Sequence, residues 1–121
     1  MKFFDCFMYH DEDLILDIRF NTLDKYIDKF VIVESKFDHQ GNNKKLNFNI
    51  HNFKKFKDKI IYIVQKNEPQ GIIKLDENDD EGTKSYKLIY NAHLRENSQR
   101  DHIMIGLKTA ENQDLILISD V

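Results

Sequence analysis

The chain has 121 residues, 40% hydrophobic and 32% charged, with a formal net charge of -3. That length suits one layered domain and is too short for two sizeable cores, and nine Phe with five Tyr give core material that excludes disorder. No basic excess is present to hold nucleic acid by its phosphates, the single cysteine, Cys6, excludes an internal disulfide and a Cys-rich metal site, and no stretch approaches the about 20 apolar residues of a membrane span.

The N-terminus places Asp5 before an apolar signal region could form. The chain as given is therefore expected to be soluble or cytoplasmic, with no signal peptide or membrane anchor. Phe3 to Tyr9 is rich in aromatics and reads as a first strand, interrupted by Asp5. His10 to Asp13 supplies an N-cap and acids for a helix start. Leu16, Phe20, Leu23, Ile27 and Phe30 recur at steps of four and three, one helical face, with Arg19, Asp24, Lys25 and Asp28 expected outward.

Phe30 to Glu34 is a second buried strand ending in an acid and Ser35, and residues 36–47 form a polar loop after it. A short helix over Ile50 to Lys57 is expected to bury Ile50, Phe53 and Phe56, with Lys54, Lys55, Lys57 and Lys59 as a solvated face. Ile60 to Val64 is the third strand. Residues 66–84, with the acidic run Asp76 to Glu81, read as a mobile loop, since like charges in series repel and no EF-hand pattern is present. Ser85 is the expected cap of a long helix to about Ala110, burying Leu88, Ala92, His93, Ile103 and Leu107. Leu115 to Ile118 are four aliphatics without alternation, expected to form a strand buried on both faces and leading into Ser119 and Asp120. Strand and helix alternate throughout, which predicts a single α/β layered domain over 1–121 with a mainly parallel sheet.

In such a sheet, ligands bind outside the carboxyl ends of the strands, so an acid there stands at the site. Asp5, Glu34 and Asp120 converge on that edge if the strands are parallel, although Asp5 lies early enough to be buried beside a helix end instead. The alternative for each acid is capping of the following helix. No glycine-rich phosphate loop occurs, so a nucleotide's phosphates would be met by a metal ion, a helix N-terminus or Arg100. The five histidines have no metal-ligand spacing, Cys6 reads as a core thiol, and Ser35 and Ser119 lack the glycines of a nucleophile elbow.

Several segments together resemble one family. Asp5 to Tyr9 with Glu12 to Leu14, Ile18 and Arg19 is similar to the start of glycosyltransferase family 17, the group of the bisecting N-acetylglucosaminyltransferases. Val31 to Ser35 with His39 to Gly41 resembles its second strand and loop, Arg95 to Arg100 with Ile103, Gly106 and Leu107 its long helix, and Leu115 to Val121 its metal-site strand. The order is kept across nearly the whole chain, and the acidic loop departs from it.

The resemblance implies a GT-A-like, Rossmann-like fold and transfer of a sugar, N-acetylglucosamine from UDP-N-acetylglucosamine, from a nucleotide-sugar donor to a glycan acceptor. It places Asp120 as the first acid of an Asp-x-Asp motif holding Mn²⁺ or Mg²⁺; the second acid would fall at position 122, beyond the sequence. It places Asp5, Glu34 and Arg100 against the donor, and assigns no catalytic base. The expectation is thus a donor-binding N-terminal part, truncated after the metal-site strand and inactive alone. The alternative is a non-catalytic α/β interaction module of the same fold, with an open edge that packs on a missing C-terminal half or on a second copy.

Overall fold

The aromatic and branched runs become four strands of one sheet. A computed structural model describes residues 1–120, and Val121 lies outside the described residues. Strands β1 (Phe3–Tyr9), β2 (Lys29–Ser35), β3 (Ile60–Gln65) and β4 (Leu115–Asp120) are all parallel, in the order β3-β2-β1-β4. Parallel strands need crossovers. Helix α1 (Asp13–Leu23) and a 3₁₀ segment (Ile50–Lys59) make the first two, and helix α2 (Glu81–Asp101) with a second 3₁₀ segment (His102–Leu107) makes the third. The first three strands step one way across the sheet. The chain then returns to the far side of β1, and the reversal leaves a crevice outside the carboxyl ends of β1 and β4.

Alternate side chains go to opposite faces. Phe7, Tyr9, Phe30 and Ile32 meet Leu16, Phe20 and Ile27 from the first crossover and Phe53 and Phe56 from the 3₁₀ segment. Phe20 is the centre of that layer, with ring centroids 4.8 Å from Phe30 and 5.2 Å from both Phe53 and Phe56. On the other face Phe4, Cys6, Val31 and Val33 pack on Ile103. The stripe expected on α1 is present, but the helix ends at Leu23 and Ile27 reaches the core from the turn that follows. The 3₁₀ segment buries Phe53 and Phe56 as expected, kinks at Phe53 and leaves Ile50 exposed, with Lys54, Lys55 and Lys57 in solvent.

Three expectations are corrected. Strand β4 is an edge strand rather than a covered one, with Leu115, Leu117 and Ile118 exposed, because the helices pack over β1 to β3 and only Ile116 joins a core layer. Helix α2 begins five residues earlier than expected, capped by Asp80, whose carboxylate accepts the Thr83 N–H at 2.7 Å; it gives way to 3₁₀ geometry after Asp101. Its buried side is polar: Asn91, Arg95 and Gln99 point inward while Leu88 is 44% exposed and His93 faces solvent. The segment before α2 is irregular and tied to the helix. Lys87 binds the Asp79 carboxylate at 2.8 Å, and the Asn91 amide pairs with both backbone groups of Ile73 at 2.7 and 2.9 Å.

The second 3₁₀ segment lies against β2 so closely that a Cβ at Gly106 would stand 2.4 Å from Val31 Cγ1. Gly106→Ala is therefore expected to destabilise the fold by about 1–3 kcal/mol in urea denaturation. Combined with Val31→Ala, its cost should fall, since the truncated partner leaves room for the methyl group. Full additivity of the two changes would contradict this packing.

Candidate functional site

The crevice at the carboxyl edge has a volume of about 700 Å³. Met8, Tyr9, His10 and Glu12 line it from the end of β1, Ser35 and Phe37 to Gln40 with Lys44 from the loop after β2, Glu96 and Gln99 from α2, and Asp120 from the end of β4. The Tyr9 hydroxyl donates to the Asp13 carboxylate; burial first, then that acid, pushes its ionisation above the usual phenol range. Cys6 stays a core thiol, pushed up to about 12 by burial and by Asp5, with Arg19 opposing.

The three strand acids take different roles. Asp5 is 1% exposed, and both of its oxygens accept from Arg19, Nε at 2.7 Å and Nη2 at 2.6 Å. Arg19, expected outward, folds over the Phe7 ring instead and also donates to Ser119 Oγ at 2.6 Å and to the Asp120 carbonyl at 3.2 Å. Asp5 therefore holds the end of β4 through Arg19, and does not line the crevice. The reason is local: Asp5 sits mid-strand on the α1 face, where a carboxylate without a partner would be costly.

Glu34 is fully buried and accepts four hydrogen bonds, from Lys44 Nζ at 2.6 Å, Tyr62 Oη at 2.7 Å, and the Asn47 and Phe48 N–H groups at 2.6 and 3.0 Å. It closes the loop after β2 back onto the sheet, and it too is turned away from the crevice. Burial alone would raise its pKa; the four donors outweigh burial and hold it below the ordinary carboxylate value.

Asp120 is the acid that reaches solvent. Its side chain is 79% exposed, with Oδ1 3.5 Å from Arg100 Nη2, which also lies 3.3 Å from Glu96 Oε1. Asp120, Arg100 and Glu96 are thus brought together at one end of the crevice, while Asp5 and Glu34 stand behind its wall. Among the described residues no group of three His, Cys, Asp or Glu side chains could hold a metal ion. Asp120 matches a hard cation by donor chemistry, as an exposed carboxylate, and supplies one ligand of the several such an ion takes.

Sequence reasoning missed the polar row on α2. Asn91, Arg95 and Gln99 are spaced by four, and each bonds the backbone of a different segment: Ile73, His39, and Val33, whose carbonyl accepts from Gln99 Nε2 at 3.1 Å. The signal was present as three long polar side chains in helical register. An apolar-stripe search passes over them, because here the helix covers irregular backbone that needs donors and acceptors.

Fold and site together define an α/β domain with an acid and a cation at the switch point of a parallel sheet. The family model for glycosyltransferase family 17 matches residues 1–121, and the chain belongs to that family. No curated protein and no solved structure matches it.

Because the folded-state pKa of Glu34 is depressed, its contribution is present above its ordinary value of 4.5 and is lost as pH falls through the lower folded value. Glu34→Gln should lower stability by about 3–5 kcal/mol at pH 7, as loss of one member of a buried pair does. The gap to the parent should narrow as denaturation is repeated below pH 4.5. A gap that does not change with pH would show that Glu34 is not charged in the folded protein.

Proposed function

We propose that the crevice binds a nucleotide-sugar donor, UDP-N-acetylglucosamine, and that the protein transfers its sugar to a glycan acceptor. Family membership supports sugar transfer, and the observation that carries the placement is the exposed Asp120 carboxylate at the β1/β4 switch point beside Arg100. Asp120 would give one ligand to Mn²⁺ or Mg²⁺, which when bound neutralises charge on the departing nucleoside diphosphate. Arg100 has the planar fork that suits a phosphate, and Glu96 at 3.3 Å keeps it at the crevice when it is not paired with Asp120. Asp5 and Glu34 act on the donor through the groups they hold: Asp5 by fixing Arg19 and the end of β4, Glu34 by closing the loop that forms one wall.

A second reading, an interaction module of the same fold, draws on the exposed edge of β4, where Leu115, Leu117 and Ile118 meet solvent, and on Leu14, Ile15 and Ile18, exposed on α1. Apolar exposure of this kind fits a surface that packs against another protein surface or a second copy. One titration separates the two.

Calorimetry with UDP-N-acetylglucosamine should show heat that requires Mn²⁺. Asp120→Asn should abolish the metal-dependent heat, and Arg100→Gln should weaken donor binding roughly tenfold, or ~1.4 kcal/mol. Absence of metal-dependent heat in the parent protein would overturn the transferase reading and leave the interaction module.

A further inference from the structure

Arg95 is 7% exposed and lies behind the crevice, and its guanidinium reaches the loop that lines it. Nε donates to Glu68 Oε1 at 2.8 Å and Nη1 to the His39 carbonyl at 3.0 Å. The remaining corner faces Gly41, where a Cβ would stand 2.5 Å from Nη2 and 2.7 Å from Cζ. Three segments meet on this one side chain: α2, the loop after β2, and the segment after β3 that carries Glu68.

The loop it holds is stiff in its own right. The Asp38 carboxylate accepts the Gln40 and Asn42 N–H groups, both at 2.9 Å, the Asp38 carbonyl accepts the Gly41 N–H at 3.0 Å, and Phe37 bridges to Asn43. Gly41 has φ +89°, a left-handed conformation that favours glycine. Fixing one peptide of so short a turn fixes all of it. Asp38, His39 and Gln40 are the residues that this turn presents to the crevice.

From these contacts we infer that Arg95 is a positioning residue for ligand binding: it anchors the lip Asp38–Asn42 from behind, so that the lip is already in place when the donor arrives. The ligand side of the inference rests on the donor reading above. An apolar side chain would fill the same buried volume at less desolvation cost. It would leave the His39 carbonyl without its donor, so packing alone does not account for an arginine here. Preorganisation does, because a loop ordered before binding takes less from the affinity of its ligand. Lysine keeps the charge but has one point of attachment, where the guanidinium reaches Glu68 and His39 at once.

The test compares Arg95→Lys, Gly41→Ala and Lys55→Gln with the parent chain in two measurements: amide hydrogen exchange without ligand, and affinity for UDP-N-acetylglucosamine in the presence of Mn²⁺. Arg95→Lys should speed exchange at Gln40, Gly41 and Asn42 about tenfold or more while the β1 and β2 amides keep their protection, and should weaken donor binding roughly tenfold. Gly41→Ala, which disturbs the same contact from the loop side, should reproduce both effects with Arg95 intact. Lys55→Gln, on the exposed side of the first 3₁₀ segment, should stay near the parent. Unchanged exchange in the lip for Arg95→Lys and Gly41→Ala would overturn the anchor, and a loosened lip with undiminished donor affinity would overturn its role in binding. A parent protein that takes up no donor overturns the donor reading and the ligand half of this inference with it, while the exchange data still decide whether Arg95 holds the lip.

Discussion

Two carboxylates lie on the phenylalanine-rich side of the sheet with almost no access to water, and the carboxyl edge is shaped by what each of them must hold. Asp5 is 1% exposed and Glu34 fully buried. An uncompensated charge in such surroundings would cost more than a small domain can spare from a net stability of about 5–15 kcal/mol. Asp5 is compensated by Arg19, whose Nη2 also donates to Ser119 and whose Nη1 donates to the Asp120 carbonyl at the end of β4. Glu34 is compensated by four donors, three of them from residues 44–48, so the loop after β2 must return over the sheet. Both walls of the crevice therefore follow from charge neutralisation inside the domain.

The same requirement explains the division among the strand acids. Asp5 and Glu34 are spent inside the protein, and Asp120, on the last residue of an edge strand, is left in solvent beside Arg100. Arg19 links the two groups, since its Nε and Nη2 hold Asp5 while Nη2 also reaches Ser119 and Nη1 the Asp120 carbonyl. In the site proposed above, support is separate from contact: buried ion pairs set the backbone, and exposed groups are left for the ligand.

Strands β2, β3 and β4 were legible as unbroken apolar runs and β1 as an aromatic run interrupted only by Asp5, and α1 because Leu16, Phe20 and Leu23 repeat at helical spacing. The parallel sheet followed from alternation, and the position of Asp120 at the carboxyl edge from the apolar run that ends in it. What stayed hidden was pairing at long range. Nothing local marks Arg19 as an inward residue, since its partners are 14, 100 and 101 positions away. The inward turn of Asn91, Arg95 and Gln99 likewise depends on loops whose path over the sheet cannot be read from periodicity. Strand β4 shows the converse error: four aliphatics in a row fit a covered strand, but coverage is decided by where the helices lie, and they lie over its neighbours.

On the proposed function the ligand seats at the β1/β4 end of the carboxyl edge, against Asp120 and the anchored lip. Backbone amide shifts followed by NMR during titration with UDP-N-acetylglucosamine and Mg²⁺ test it directly. The expected result is a contiguous set of perturbed amides at His10 to Glu12, Asp38 to Gln40 and Ser119 to Asp120, with Lys54 to Lys57 unmoved. Perturbations centred on the lysine-bearing 3₁₀ segment, or confined to the outer edge of β4 away from Asp120, would contradict it.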